Sequence, residues 1–375
     1  MAALRRTAAR RLVVKLGSRL LTGGGRELDR ERMAVYVDAV ARHREVEVVL
    51  VSSGAVAAGY GRLGMVVPPT SLRERQAAAA VGQPRLMRMY AELFGVHGLE
   101  VGQVLLTQDG LADRGRYLQA RAALGSLCEA GVVPVVNEND AVSMAEIRIG
   151  DNDNLAAYTA ALVEADMLVL LTDVAGVYDR DPSEPGARLI ETSSTAGALR
   201  RYCYRKVARE STGGMVTKLD AAEKASSYGI PTVIASGQDA AVVESVFTGA
   251  AVGTRIEGSP RPLQARRHWM AVQPRVSGGL VVDDGALAAL SRGGNSLLPR
   301  GVTGVVGRFE VGDVVSILDG RGVERARGVV AYDDRAVARI KGRHSDEIEE
   351  ILGYRATREV VRADRIVMLE ERAWQ

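Results

Sequence analysis

Two short clusters hold the residues best suited to chemistry: Asn137-Glu138-Asn139-Asp140 and, after ten intervening residues, Asp151-Asn152-Asp153-Asn154. They offer carboxylates and amides with no His or Cys among them, which leaves metal binding, acid–base work and substrate positioning open and gives no obvious covalent nucleophile. Lysine is the second signal. Only five of the 49 basic residues are Lys, so a Lys inside a motif points to a need for a compact ammonium rather than a guanidinium fork. Two sit in glycine-rich settings, Lys15 in Val14-Lys15-Leu16-Gly17-Ser18 and Lys218 at the end of Thr212-Gly213-Gly214-Met215-Val216-Thr217-Lys218. Glycine-rich turns let backbone N–H groups approach a phosphate closely while an ammonium neutralises its charge. Val51-Ser52-Ser53-Gly54 and the small residues that follow open a helix N-terminus able to receive an anion. Thr172-Asp173 ends another apolar run. Glycine, hydroxyl, Lys and carboxylate repeated at several strand ends argue for phosphoryl transfer, in which positioning and charge neutralisation do most of the work.

The elements that must position these residues alternate along the first two thirds of the chain. Apolar, β-branched runs predict strands at Leu12–Lys15, Val46–Val51, Val101–Leu106, Val132–Val136, Met167–Thr172 and Pro231–Ala235. Helices are predicted between them at Arg30–Arg44, Leu72–Phe94, Arg116–Ala130, Asn154–Ala165 and Thr217–Tyr228. This alternation predicts a mainly parallel sheet with helices on both faces, an αβα sandwich whose strand ends gather the motifs. On this reading Asp151 to Asn154 would cap the helix that follows them. After Gly253 the pattern changes through Gly258-Ser259-Pro260-Arg261-Pro262, and short strands then recur at close spacing with short helices near 285–291 and 345–352. The expected division is a first domain over 1–258, a linker over 259–274 and a small β-rich, barrel-like domain over 275–375.

Composition narrows the function classes. The formal charge of +3 is small for 375 residues and makes no electrostatic case for a dedicated nucleic-acid binder. Residues 275–375 balance sixteen basic against sixteen acidic side chains. Apolar runs are far shorter than the roughly 20 residues of a membrane span. The basic start, Met1 to Arg11, has no following apolar region or cleavage site, so no signal peptide and a cytoplasmic location are expected. Cys128 and Cys203 lack metal-type spacing and are expected to be structural thiols. His43, His97, His268 and His344 all fall outside the motifs.

The set Val14-Lys15-Leu16-Gly17-Ser18, Ser52-Ser53-Gly54-Ala55-Val56-Ala57-Ala58-Gly59, Ala80-Val81-Gly82-Gln83, Asn137 to Val142, Gly150 to Leu155, Leu171-Thr172-Asp173 and Thr212-Gly213-Gly214-Met215 resembles the amino-acid kinase family. The similarity is to its glutamate-phosphorylating branch with a C-terminal PUA domain. It covers nearly the whole chain, and Gly-Ser after Lys15, rather than Gly-Gly, supports that branch. The resemblance implies ATP-dependent phosphorylation of the γ-carboxylate of L-glutamate, the first step of proline synthesis. It also implies magnesium carried on the nucleotide with no protein metal site, feedback inhibition by proline and a homo-oligomer, dimer or tetramer. Carried onto this sequence, it gives Lys15 and Lys218 the transferring phosphoryl group and Asp153 the two ammoniums. Ser53, Gly54, Asn137, Asp140 and Asn152 fall to the amino acid. Lys15, Thr172, Asp173, Thr212, Gly213, Gly214, Met215 and Lys218 fall to ATP.

One stretch departs from the family pattern. Val207-Ala208-Arg209-Glu210-Ser211 stands before Thr212, where relatives usually carry Gly-x-Gly, and a Glu there would face a polyphosphate unfavourably. An altered nucleotide-side loop is therefore expected, which an unchanged ATP KM in a Glu210→Gly, Arg209→Leu variant would rule out. Two other readings remain: a related kinase acting on another amino-acid carboxylate, and an RNA-binding protein working through the PUA domain. The neutral charge of 275–375 weakens the latter.

Overall fold

The computed structural model describes residues 11–107, 110–111, 113–142, 152–203, 214–260, 276 and 278–369. The chain divides into two compact units, residues 1–110 with 115–262 and residues 111–114 with 263–375.

The first unit is built on a sheet of eight strands: β1 (Arg11–Leu16), β2 (Glu47–Ser52), β3 (Val101–Leu106), β4 (Val133–Glu138), β5 (Met167–Thr172), β6 (Thr192–Ser193), β7 (Thr232–Ser236) and β8 (Thr254–Ile256). They lie in the order β3-β4-β2-β1-β5-β7-β8-β6. Every pairing is parallel except β7 with β8. The central strands are buried along almost their whole length, as expected where helices cover both faces. Leu12, Val14 and Leu16 share one core cluster with side chains from α2 (Arg30–Arg42), α4 (Leu72–Gly95) and α8 (Ala240–Thr248). The period of two along a strand therefore turns Val13 and Lys15 to the opposite face. There lie α6 (Asn152–Leu162) and α7 (Met215–Ser227), packed against each other and the sheet through buried Leu155, Ala156, Leu219 and Ala222. The short α1 (Ser18–Thr22) and α3 (Ala55–Tyr60) follow β1 and β2 directly, and α5 (Arg114–Glu129) leads into β4.

The expected strands and helices of this unit are present, with boundaries shifted by a few residues. Three differences bear on chemistry. Strand β4 runs on to Glu138, so Asn137 is the penultimate residue of a buried strand. Helix α6 already includes Asn152; Asn152, Asp153 and Asn154 form its buried first turn, and Asp151, at the cap position, lies outside the described residues. Helix α8, rich in β-branched residues, forms because Asp239 accepts a hydrogen bond from the Ala241 N–H at 2.8 Å and Gly249 turns left-handed at φ +73°.

The second unit is a five-stranded sheet in the order β10-β9-β11-β12-β13, formed by β9 (Gly278–Val282), β10 (Val302–Gly307), β11 (Val314–Leu318), β12 (Glu324–Val330) and β13 (Val361–Met368). Its short helices are α9 (Asp284–Ser291), α10 (Asp334–Ile340) and α11 (Ile348–Leu352). Helix α10, capped by Asp333, has no counterpart in the sequence-based expectation. This unit has its own core, including Leu280, Ile317, Tyr332 and Ile366.

Candidate active site

Strand order places β1 between β2 and β5, so connections leave it in opposite directions across the sheet. In open α/β sheets that switch point is where a crevice opens beyond the carboxyl ends of the strands. Lys15, Ser53, Asn137 and Thr172 stand at or just past those ends, and the first turns of α6 and α7 meet them.

Three buried charges form its centre. The Lys15 ammonium lies 2.6 Å from Asp153 Oδ1 and the Lys218 ammonium 3.2 Å from Oδ2. All three residues are less than a tenth exposed. The Thr217 hydroxyl is 2.8 Å from both Asp153 Oδ2 and the Gly214 carbonyl; with one hydrogen to give, it favours the ionised carboxylate as the stronger acceptor. Burial pushes the Asp153 carboxyl up, but the two ammoniums and the hydroxyl outweigh it and hold the group at about 2. Asp153 is thus an anion at any working pH. One carboxylate balances one ammonium of the two, and the group as a whole carries positive charge suited to a phosphoryl oxygen.

Beside the charges runs a chain of amides. Gln83 Oε1 accepts from Asn137 Nδ2 at 2.9 Å, and Asn137 Oδ1 accepts from Asn152 Nδ2 at 3.0 Å. Asn152 Nδ2 is also 2.9 Å from Ser53 Oγ. Asn137 Oδ1 takes the Glu138 backbone N–H at 2.8 Å as well. Gln83, Asn137 and Asn152 are all buried.

Packing of α3 on α4 sets this geometry. A Cβ on Gly59 would come within 1.9 Å of the Ala78 carbonyl oxygen, and one on Gly82 within 1.8 Å of the Ala55 carbonyl oxygen. The two helices therefore touch backbone to backbone, which places Gln83 opposite the start of α3. At that start Gly54 has φ +107°, a conformation few side-chain-bearing residues adopt.

The remaining site residues are less tightly joined. Asp140 follows β4, half-buried. Burial and then the nearby Glu138 carboxylate raise its carboxyl to about 6, against the pull of Arg75. The Thr172 hydroxyl donates to Asp173 Oδ1 at 3.1 Å, and Asp173 lies 3.4 Å from the Arg19 guanidinium. Gly214 and Met215 start α7. Thr212, Gly213, Asp151 and the atypical Arg209-Glu210-Ser211 lie outside the described residues.

Sequence reasoning gave no role to Gln83 or Thr217. The signals were faint: an amide directly after a packing glycine, and a hydroxyl next to a motif Lys. The histidines among the described residues serve elsewhere. His43 binds Glu244 at 2.6 Å, His97 binds Asp38 at 2.8 Å and His344 caps a turn. Cys128 and Cys203 are free thiols that burial pushes up, away from the reactive thiolate. No group of three or more potential metal-ligating side chains occurs among the described residues.

Comparison with known proteins agrees with this arrangement. The amino acid kinase family profile matches residues 10–236 and the PUA domain profile residues 278–352. Glutamate 5-kinase of Shewanella amazonensis is 46% identical, covering 96% of this chain and 96% of that protein. Glutamate 5-kinase of Moorella thermoacetica is 47% identical over 96% of this chain and 97% of that protein, and that of Chromohalobacter salexigens 47% over 98% and 97%. A mainly parallel sheet, a buried Lys–Asp–Lys centre at its carboxyl edge and near-complete coverage by these relatives together place the chain in the amino acid kinase family, among the glutamate 5-kinases that carry a PUA domain.

Proposed function

We propose that the protein transfers the γ-phosphoryl group of ATP to the γ-carboxylate of L-glutamate, giving L-glutamyl 5-phosphate as the first step of proline biosynthesis. The observation that carries this reading is the buried Lys15–Asp153–Lys218 centre. An oxygen of the substrate carboxylate attacks the γ-phosphorus, and the bond from that phosphorus to the bridging oxygen of ADP breaks. The attacking carboxylate is already ionised, so no protein base is required and positioning carries the reaction. Lys15 and Lys218 meet the charge that spreads over the phosphoryl oxygens, and Asp153 keeps the two ammoniums close by balancing one of their two charges. Ser53 accepts from Asn152 and retains its own hydroxyl hydrogen for a substrate carboxylate. Asp140 supplies negative charge for the substrate ammonium, with Gly54 and Asn137 shaping the same pocket.

The nucleotide side takes Thr172, Asp173, Gly214 and Met215, together with Thr212 and Gly213. Magnesium would come on the ATP phosphates and would screen their charge; Asp153 is engaged by both lysines. We also assign the chain inhibition by proline, a homo-oligomeric state, a cytoplasmic location and the domain limits 1–258 and 275–375. Among the described residues no helix is long and apolar enough to cross a membrane.

A coupled ATP-consumption assay over glutamate, aspartate and acetylglutamate tests the reading. Turnover should respond to glutamate and fall by about 10²–10³-fold in Asp153→Asn, the scale of losing a preorganised electrostatic group. Preference for another carboxylate would make the chain a related kinase, and full activity in Asp153→Asn would overturn the mechanism.

A further inference from the structure

The amide chain ends in two buried polar atoms without partners among the described residues, Gln83 Nε2 at one end and Asn152 Oδ1 at the other. A purely structural amide network would pair its ends, because an unpaired buried polar group costs stability. The direction of the chain is fixed at each link. Turning the Asn152 amide over would set its oxygen against two acceptors, Asn137 Oδ1 and the Ser52 carbonyl, which now lie 3.0 Å and 3.4 Å from Nδ2. Turning Asn137 over would set its oxygen against Gln83 Oε1 and its NH₂ against the Glu138 N–H. The Glu138 N–H and Gln83 Oε1 therefore hold Asn137 in one sense from two sides, and the result at the near end is a bare Asn152 carbonyl oxygen.

We infer that Gln83 is a positioning residue for amino-acid selectivity. By accepting from Asn137 it keeps Asn152 Oδ1 turned out as an acceptor, which together with the Asp140 carboxylate reads the α-ammonium of the substrate. This rests on the glutamate kinase reading above. Nothing else among the described residues calls for a glutamine at 83: its second amide atom is unpaired there, and the seam with α3 is formed by Gly82, not by the Gln83 side chain. Methionine has similar length but cannot accept from Asn137 in the same way, so that amide is left held by the Glu138 N–H alone and its grip on Asn152 loosens.

The test is steady-state kinetics on the full chain with Gln83→Met, Asn137→Ala and the double variant, using glutamate and glutarate, its analogue without the α-amino group. The KM for glutamate in Gln83→Met should rise by about tenfold, the scale of one buried hydrogen bond. The KM for ATP should stay within about twofold, and the thermal midpoint should change little, since the Gln83 Nε2 orphan disappears as Asn137 Nδ2 loses its acceptor. Preference for glutamate over glutarate should narrow by a similar factor. In the Asn137→Ala background the Gln83 change should add nothing, because Gln83 acts through Asn137. Additive effects would show instead that Gln83 Nε2 touches substrate itself, and an unchanged glutamate KM or a lowered thermal midpoint with no change in selectivity would show a structural residue; each overturns the inference. Wild-type enzyme idle on glutamate would sink the proposed function instead, so the two failures are separable.

Discussion

A single carboxylate, Asp153, organises the chemistry by holding two lysines that share no other connection in sequence. Its pKa of about 2 lies below the ordinary 3.8, so the stabilisation it provides is complete above the ordinary value and fades as pH falls through about 2. Acid therefore leaves the Lys15–Asp153–Lys218 centre charged until the pH is very low. Asp140 titrates much closer to neutrality, at about 6. Its ionised form is the one that attracts an ammonium, so the KM for glutamate should rise as pH drops through about 6, and the inflection should vanish in Asp140→Asn when KM is measured from pH 5 to 8. Shape matters as well as charge at Lys218, which is 5% exposed. Lys218→Arg keeps the positive charge but brings a planar fork into a packed space; its kcat should fall by roughly 10²-fold, and retention of most activity would mean that charge alone suffices.

Packing between elements decides where these residues stand. The contact of α3 with α4 through Gly59 and Gly82 is the clearest case, because a Cβ on Gly82 would also lie 2.7 Å from the Gly59 nitrogen. Gly82→Ala should destabilise the protein by about 1–3 kcal/mol, as overpacking does, and should raise the KM for glutamate by shifting Ser53 and Gln83; urea denaturation and kinetics measure the two effects. Much at this scale was legible from residue order alone. The strands at Val101–Leu106 and Met167–Thr172 stand where the β-branched runs ended, and Lys15, Ser53 and Asn137 were read as strand-end residues. Other features were hidden for physical reasons. Ala240–Thr248 contains three valines and a phenylalanine, so local propensity favours a strand and only the Asp239 and Gly249 caps reveal the helix. The pairing of Asp153 with both lysines joins residues far apart in sequence, and no periodicity encodes it; family resemblance implied it. Gln83 escaped notice because its neighbours Ala78, Ala79 and Gly82 read as helix packing, and its link to Asn137 exists only once β4 and α4 are adjacent.

Over the whole molecule, charge is nearly balanced, at +3 in 375 residues, which suits an enzyme of small metabolites. A filter-binding assay of the full chain with RNA should show no salt-dependent retention, since counterion release requires a basic surface; tight binding lost between 50 and 200 mM salt would restore the nucleic-acid reading for the second unit. Chelation offers another check. With magnesium riding on ATP, EDTA should abolish turnover while leaving the thermal midpoint of the ligand-free protein unchanged. The Lys15–Asp153–Lys218 centre has one more consequence, for folding kinetics. Its members come from β1, α6 and α7, so the centre exists only once contacts of high sequence separation beside the middle of the sheet have formed, and such contacts close slowly. During refolding, helical signal should return first and turnover afterwards, so the appearance of activity marks the moment when the middle of the sheet has closed.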